Sequence, residues 1–118
     1  MAMPEFKQLV DEVKKEIKEI DLDELKRMQE RGEKFDVIDV REKDEAAQGM
    51  IPGAISVPRG VLELQIDNVT DDKDAKIVCY CGGGSRSALA AYMLKRMGFK
   101  NVMSLMGGYR GWKAASER

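Results

Sequence analysis

A short apolar run, Ile77-Val78-Cys79-Tyr80, leads into Cys81-Gly82-Gly83-Gly84-Ser85-Arg86-Ser87, which opens onto the helical pattern Ser87-Ala88-Leu89-Ala90-Ala91. A strand handing over to a helix across a glycine turn is the repeating unit of a parallel sheet covered on both faces. In such sheets ligands sit beyond the carboxyl ends of the strands, where this turn lies. The same three pieces define a chemical environment. Glycines let successive N–H groups turn inward around one point and make a nest for an anion. The following helix adds the positive end of its dipole. A thiol held there loses its proton well below the free value of about 8.5. Cys81 is therefore the candidate nucleophile. Gly82, Gly83, Gly84, Ser85 and Ser87 are candidate binding positions, with helix capping the favoured role for the two serines. Arg86 is expected to anchor the loop and supply positive potential.

The rest of the chain alternates in the same way. Phe6, Leu9, Val10, Val13 and Ile17 fall at helical spacing over residues 4 to 17 and predict an amphipathic N-terminal helix. Ile20 ends a brief strand, and Asp21 with Glu24 forms the pattern of a capping box opening a helix that Gly32 stops. Phe35 to Val40 reads as a buried strand, Glu42 to Gln48 as a charged helical turn, and Ile51-Pro52-Gly53-Ala54 as a type II turn. Then come a short strand Ile55 to Val57, a short helix Val61 to Ile66 and a solvated loop Thr70 to Asp74. Ser87 to Met97 is a largely apolar helix closed by Gly98, followed by the strand Asn101 to Leu105 and a terminal helix Tyr109 to Ala115.

Composition removes several classes of function. The 118 residues suit one domain, and 20 basic against 21 acidic side chains give a net charge of −1, so no broad nucleic-acid surface is expected. No apolar run is long enough to span a bilayer and no signal-peptide architecture is visible, which makes the cytoplasm the expected location. The sequence holds no histidine, and this excludes Cys–His and Ser–His–Asp mechanisms. Its two cysteines, Cys79 and Cys81, are a poor metal site without histidine, and a disulfide between them would be strained. Cys79 reads as a small buried hydrophobe. Neither a metal nor a cofactor is expected.

Several separated motifs together resemble the single-domain rhodanese (thiosulfate sulfurtransferase) family over residues 18 to 115. They are Ile38-Asp39-Val40-Arg41-Glu42, Gly49-Met50-Ile51-Pro52-Gly53-Ala54-Ile55 and Pro58-Arg59-Gly60-Val61-Leu62-Glu63. The catalytic-type loop Cys81 to Arg86 with Ser87 follows, and Leu105-Met106-Gly107-Gly108-Tyr109-Arg110-Gly111-Trp112 closes the set. Where Met50 stands, the family often has histidine. The resemblance implies an α/β, three-layer rhodanese-like fold with a central five-stranded parallel sheet and helices on both faces. Residues 18–118 would form that domain, and 1–17 an amphipathic helical extension.

It further implies sulfur transfer through a Cys81 persulfide, from thiosulfate or a related persulfide or polysulfide donor to a thiophilic acceptor. Partners are then small sulfur-containing anions or thiols, with a protein sulfur acceptor as a further option. Asp39 and Arg41 read as scaffold, and Arg59 as a guide for an anionic donor. Three bare glycines with Met50 nearby suggest a neutral to mildly apolar entrance, loose donor selectivity and a preference for a polysulfide or a protein persulfide over thiosulfate. Two other classes stay open. Rhodanese-like modules also serve as docking or persulfide-carrier domains, often with the cysteine replaced, whereas Cys81 and Arg86 are intact here. Cysteine-dependent phosphatases share the nest-and-arginine plan but place five residues between Cys and Arg; this chain has four, Gly82 to Ser85.

Overall fold

The computed structural model describes residues 3–117; residues 1, 2 and 118, which the expected extension and domain also include, lie outside the described residues. Helix α1 (Pro4–Lys14) precedes strand β1 (Lys18–Ile20), helix α2 (Leu22–Glu30), strand β2 (Asp36–Asp39) and helix α3 (Lys43–Ala47). Strand β3 (Ile55–Ser56), helix α4 (Leu62–Gln65), strand β4 (Lys76–Tyr80), helix α5 (Ser85–Arg96), strand β5 (Asn101–Leu105) and helix α6 (Gly108–Ser116) complete the chain. The five strands form one sheet in the order β1-β5-β4-β2-β3, and every pairing is parallel. The α/β, three-layer expectation is met.

Alternation of side chains along the strands creates two cores. Ile77 and Cys79 of β4, with Ile38 of β2, face one side, where Leu62 of α4 and Ala90, Ala91 and Leu94 of α5 cover them. Val78, Tyr80, Val37 and Met103 face the other, beneath Leu25 and Met28 of α2 and Tyr109 and Trp112 of α6. Strand β4 lies at the sheet centre and buries both faces, which is why its sequence is a continuous apolar run.

Local expectations hold with instructive exceptions. Pro52 and Gly53 form the anticipated type II turn, with Gly53 at φ 84° and Ala54 N–H donating to Ile51 O at 3.1 Å. Asp21 caps α2, accepting from Glu24 N–H at 2.8 Å. Glu24 does not complete the capping box, because its carboxylate is taken by Arg27 and Arg31. A two-sided box forms instead at α3, between Glu42 and Glu45. Helix α1 stops at Lys14, three residues short of the expected span, and Ile17 turns inward onto the α5-side core. Only Val10 and Val13 of α1 are buried, and the helix leans on α5. Phe6 and Leu9 stay exposed.

The carboxyl ends of β2 and β4 are tied by a buried polar cluster. Asp39 is fully buried and Arg41 is 5% exposed. Arg41 Nη2 donates to Asp39 Oδ2 at 2.6 Å and to Gly49 O at 2.7 Å, and its Cζ stands 4.2 Å from the Tyr109 ring centroid. Tyr80 Oη donates to Asp39 Oδ2 at 2.8 Å and accepts from Ile51 N–H at 3.1 Å. Each charge and each dipole has a partner, which is the condition for keeping them in the interior. The cluster fixes the loops after β2 and before β3 against α6. Truncating Asp39→Ala leaves the buried Arg41 guanidinium without a counter-charge, so about 3–5 kcal/mol of stability should be lost. Tyr80→Phe removes a donor and an acceptor at once and should cost about 1–3 kcal/mol. Urea unfolding should show both as lower midpoints at unchanged slope.

Candidate active site

Cys81 sits one residue beyond β4, and its thiol is buried, 1% exposed. Gly84 N–H donates to Sγ at 3.1 Å and Ser87 N–H at 3.4 Å, with Ser87 Oγ at 3.5 Å. The turn closes because Gly84 adopts φ 117°, a conformation that L side chains rarely take, so that α5 starts at Ser85 with its first amides aimed back at the sulfur. Burial alone would push the thiol pKa up. The bonds from the Ser87 side chain and from the Ser87, Gly84 and Gly83 N–H groups outweigh it and hold the pKa below the ordinary thiol value. Two residues upstream, Cys79 is equally buried but has no such donors. Desolvation, opposed by the charge of Arg59, pushes its thiol up to about 12. Thus desolvation keeps one cysteine a neutral core thiol, while the dipoles around its neighbour favour ionisation.

The serines do not cap α5. Gly84 is the N-cap residue and no side chain bonds there. Ser87 turns instead onto Sγ, and its hydroxyl also meets Ser104 Oγ at 2.8 Å. Ser104, on β5 and fully buried, completes a chain Ser104–Ser87–Sγ that holds the Ser87 hydroxyl in place beside the sulfur. Sequence reasoning missed Ser104. A serine inside the otherwise apolar strand Asn101-Val102-Met103-Ser104-Leu105 was the available signal. Ser85 lies apart from the thiol, lining a groove against α1 with Met3, Phe6 and Val10.

Arg86 does not touch the sulfur. Its Nη1 and Nη2 donate to the two carboxylate oxygens of Glu45 at 2.7 and 3.0 Å, which ties α5 to α3 across the mouth of the loop. That bond holds the Glu45 carboxyl down at about 2, against the opposing effect of burial. Arg86 acts on Cys81 through its field, and Glu45 offsets part of that field. Glu45 was not singled out in the sequence. Arg59 lies beyond β3 with its N–H on Val40 O, and its guanidinium is committed to Glu63 Oε1 at 2.6 Å. It makes no hydrogen bond to Cys81.

The start of α6 forms the outer wall. Tyr109 N–H donates to Cys81 O at 2.7 Å and Arg110 N–H to Gly82 O at 3.1 Å. Gly108, at φ 52°, permits this approach, since a Cβ there would overlap Cys81 O and come within 2.8 Å of Gly82 C. The entrance is not bare. The Arg110 guanidinium occupies the space beside Gly82 and Gly83, so the neutral rim expected from three glycines is corrected by a cation delivered from another element.

Comparison with known proteins agrees with this geometry. The family described as Rhodanese-like domain matches residues 21–115. An Allochromatium vinosum protein named Sulfurtransferase is 33% identical over 96 residues, spanning 81% of this chain and 88% of that one. A Bacillus subtilis protein named provisionally as a sulfur carrier, YrkF, is 33% identical over 101 residues; 86% of this chain matches it, and the match spans only 54% of its length. A solved structure from Rhodopseudomonas palustris, of a protein of unknown function described as a possible tyrosine phosphatase, superposes with a TM-score of 0.87. It is 32% identical over 98% of this chain and 94% of its own.

The donor set around Sγ sets reactivity. Alkylation by iodoacetamide, followed against pH with peptide mapping, should label Cys81 with an inflection below the free-thiol value of about 8.5 and leave Cys79 unlabelled in the folded protein. Ser87→Ala should move that inflection upward, because it removes the side-chain bond that lowers the pKa most.

Proposed function

This chain belongs to the rhodanese-like domain family, and on that footing we propose that it transfers sulfane sulfur from thiosulfate or a related persulfide or polysulfide donor to a thiophilic acceptor through a persulfide on Cys81. Its relatives include a named sulfurtransferase, which supports a transferase role. The observation carrying the proposal is the ring of N–H and hydroxyl donors around Cys81 Sγ, placed where negative charge must reside throughout the cycle. In the first half-reaction the Cys81 thiolate attacks the outer sulfur of the donor. A new S–S bond forms at Sγ, the donor's own S–S bond breaks, and its electron pair leaves with sulfite. In the second half-reaction cyanide or a thiolate attacks the terminal persulfide sulfur, and the S–S electron pair returns to Sγ. No proton need move in either step, which suits a chain without histidine.

Gly82, Gly83, Gly84 and Ser87 serve in this proposal as the cradle. Arg86 and Glu45 hold the cradle shut, and Arg59 acts from the periphery with its charge shared with Glu63. Ser85 supplies its place in the first turn of α5 rather than a substrate contact. In this proposal residues 18–118 form the catalytic unit, and 1–17 is an appended segment that carries helix α1 (Pro4–Lys14). The acceptor is a small thiol or a protein thiol; a protein recipient is favoured by the sulfur-carrier name given to YrkF. Among the described residues no helix is long and apolar enough to cross a membrane, and the cytoplasm is the proposed site of action. The phosphatase description of the R. palustris protein is not carried over, because the interval of four residues between Cys81 and Arg86 makes a ring sized for one sulfur atom.

Intact-mass spectrometry after incubation with thiosulfate should show the gain of one sulfur atom with stoichiometric sulfite. The adduct should vanish in Cys81→Ser, persist in Cys79→Ser, and be discharged by cyanide as thiocyanate. No adduct from any sulfane donor would assign the chain to the docking modules, and hydrolysis of an aryl phosphate would assign it to the phosphatases.

A further inference from the structure

Three arginines border the loop and they are not equivalent. Arg86 is bidentate on Glu45 and Arg59 is paired with Glu63, whereas the Arg110 guanidinium has neither ion pair nor hydrogen bond among the described residues. It nevertheless lies against the loop. A Cβ on Gly83 would overlap Arg110 Nη2 and lie 3.1 Å from Cζ, and a Cβ on Gly82 would lie 3.5 Å from Nη1. Neither Gly82 nor Gly83 has positive φ; of the three loop glycines only Gly84 does. Backbone conformation therefore does not call for glycine at 82 and 83. At Gly83 the absence of a side chain leaves the room that Arg110 fills, whereas a Cβ on Gly82 would make only ordinary contact, with Arg86 Nη2 at 3.4 Å nearer than Arg110. The Arg110 backbone N–H on Gly82 O fixes the base of that side chain against the same peptide. An exposed, unpaired guanidinium laid beside the two residues after the nucleophile gains little for stability and is short of an anion.

We propose that Arg110 reads the oxyanion end of a sulfonate-bearing sulfur donor, and is the residue by which this site distinguishes such a donor from an alkyl persulfide. This rests on the sulfur-transfer reading above and deepens it. The planar guanidinium offers parallel N–H donors at the spacing of two oxygens on one sulfur centre. As Cys81 Sγ bonds to the sulfane sulfur and the old S–S bond breaks, the electron pair passes to the sulfonate, which departs as sulfite dianion. Negative charge thus grows on the group that Arg110 holds, while the N–H ring around Sγ keeps the charge that stays on the new persulfide. A fixed cation on the departing group stabilises the transition state more than the bound donor. An alkyl persulfide, whose leaving thiolate carries no oxyanion, gives Arg110 nothing to fork.

The test compares thiosulfate with a simple alkyl persulfide as donors for the full chain, in the unmodified protein, Arg110→Ala and Arg110→Lys. Arg110→Ala should lower kcat/KM for thiosulfate about ten- to a hundredfold, the worth of a hydrogen bond to a charged group. The loss with the alkyl persulfide should be much smaller, and Arg110→Lys should recover part of the thiosulfate rate. In a Cys81→Ser background, calorimetry should show that thiosulfate binding weakens when Arg110→Ala is added. Equal losses with both donors would overturn the proposal and make Arg110 a prop for the loop, as would unchanged thiosulfate binding. An unmodified protein that accepts sulfur from the alkyl persulfide but not from thiosulfate would overturn it while leaving sulfur transfer standing. Persulfide from neither donor would remove both.

Discussion

Everything at the site depends on two carbonyl groups being held outward. Cys81 O and Gly82 O are gripped by the first amides of α6, at 2.7 and 3.1 Å. A trans peptide is planar with its C=O and N–H on opposite edges. Tying the Gly82 carbonyl to α6 therefore turns the Gly83 N–H toward Sγ, where it helps to lower the thiol pKa. The nest is thus imposed by a neighbouring helix as well as permitted by glycine. Gly108 is the residue that makes this possible, because any Cβ would wedge α6 away from the loop.

The second dependency runs through charge. Tyr109, one residue on from Gly108, stacks with Tyr80 and Trp112 and lies against the Arg41 guanidinium, which is itself held by fully buried Asp39. The motif around Asp39-Val40-Arg41 thereby sets the height of α6 over the sheet, and α6 sets the orientation of the loop carbonyls. A residue that never meets the sulfur governs it through two rigid contacts. The distinction between positioning and touching separates Asp39, Arg41, Glu45 and Arg86 from Gly83, Gly84 and Ser87.

Much of this was legible in the residues because it is local. Strand β4, the glycine loop and α5 are adjacent in sequence, and hydrophobic period with glycine chemistry identifies them. The type II turn at Pro52-Gly53 and the stop at Gly32 are likewise local backbone facts. What escaped lies at long sequence separation. Ser104 meets Ser87 from 17 residues away, Glu45 meets Arg86 from 41, and neither pairing leaves a periodic trace. Ser87 departs from capping for a related reason: capping is a local preference, and the Cys81 sulfur, brought close by the turn, takes its hydroxyl instead. Glu24 illustrates the same competition, as two nearby guanidiniums draw its carboxylate from the capping box. The glycine rim carries no local sign of its cation, because the side chain beside it arrives from α6.

A chain without histidine can favour a thiolate only without a side-chain imidazole base, and the physical means is visible in the contrast between Cys79 and Cys81. Both are buried on the same side of the sheet, so desolvation opposes ionisation of each. The difference is the set of fixed dipoles that converge on one sulfur and not on the other. Fixed dipoles need no reorganisation when charge moves from thiolate to persulfide and back. They stabilise an anion at either stage, but they cannot deliver or remove a proton. Such a site is therefore suited to reactions in which nucleophile, leaving group and intermediate are all anions. The same constraint makes burial of Cys81 tolerable for the proposed sulfur transfer, since a small sulfur anion would meet donors already arranged for its charge and no bulk water is required to carry a proton away.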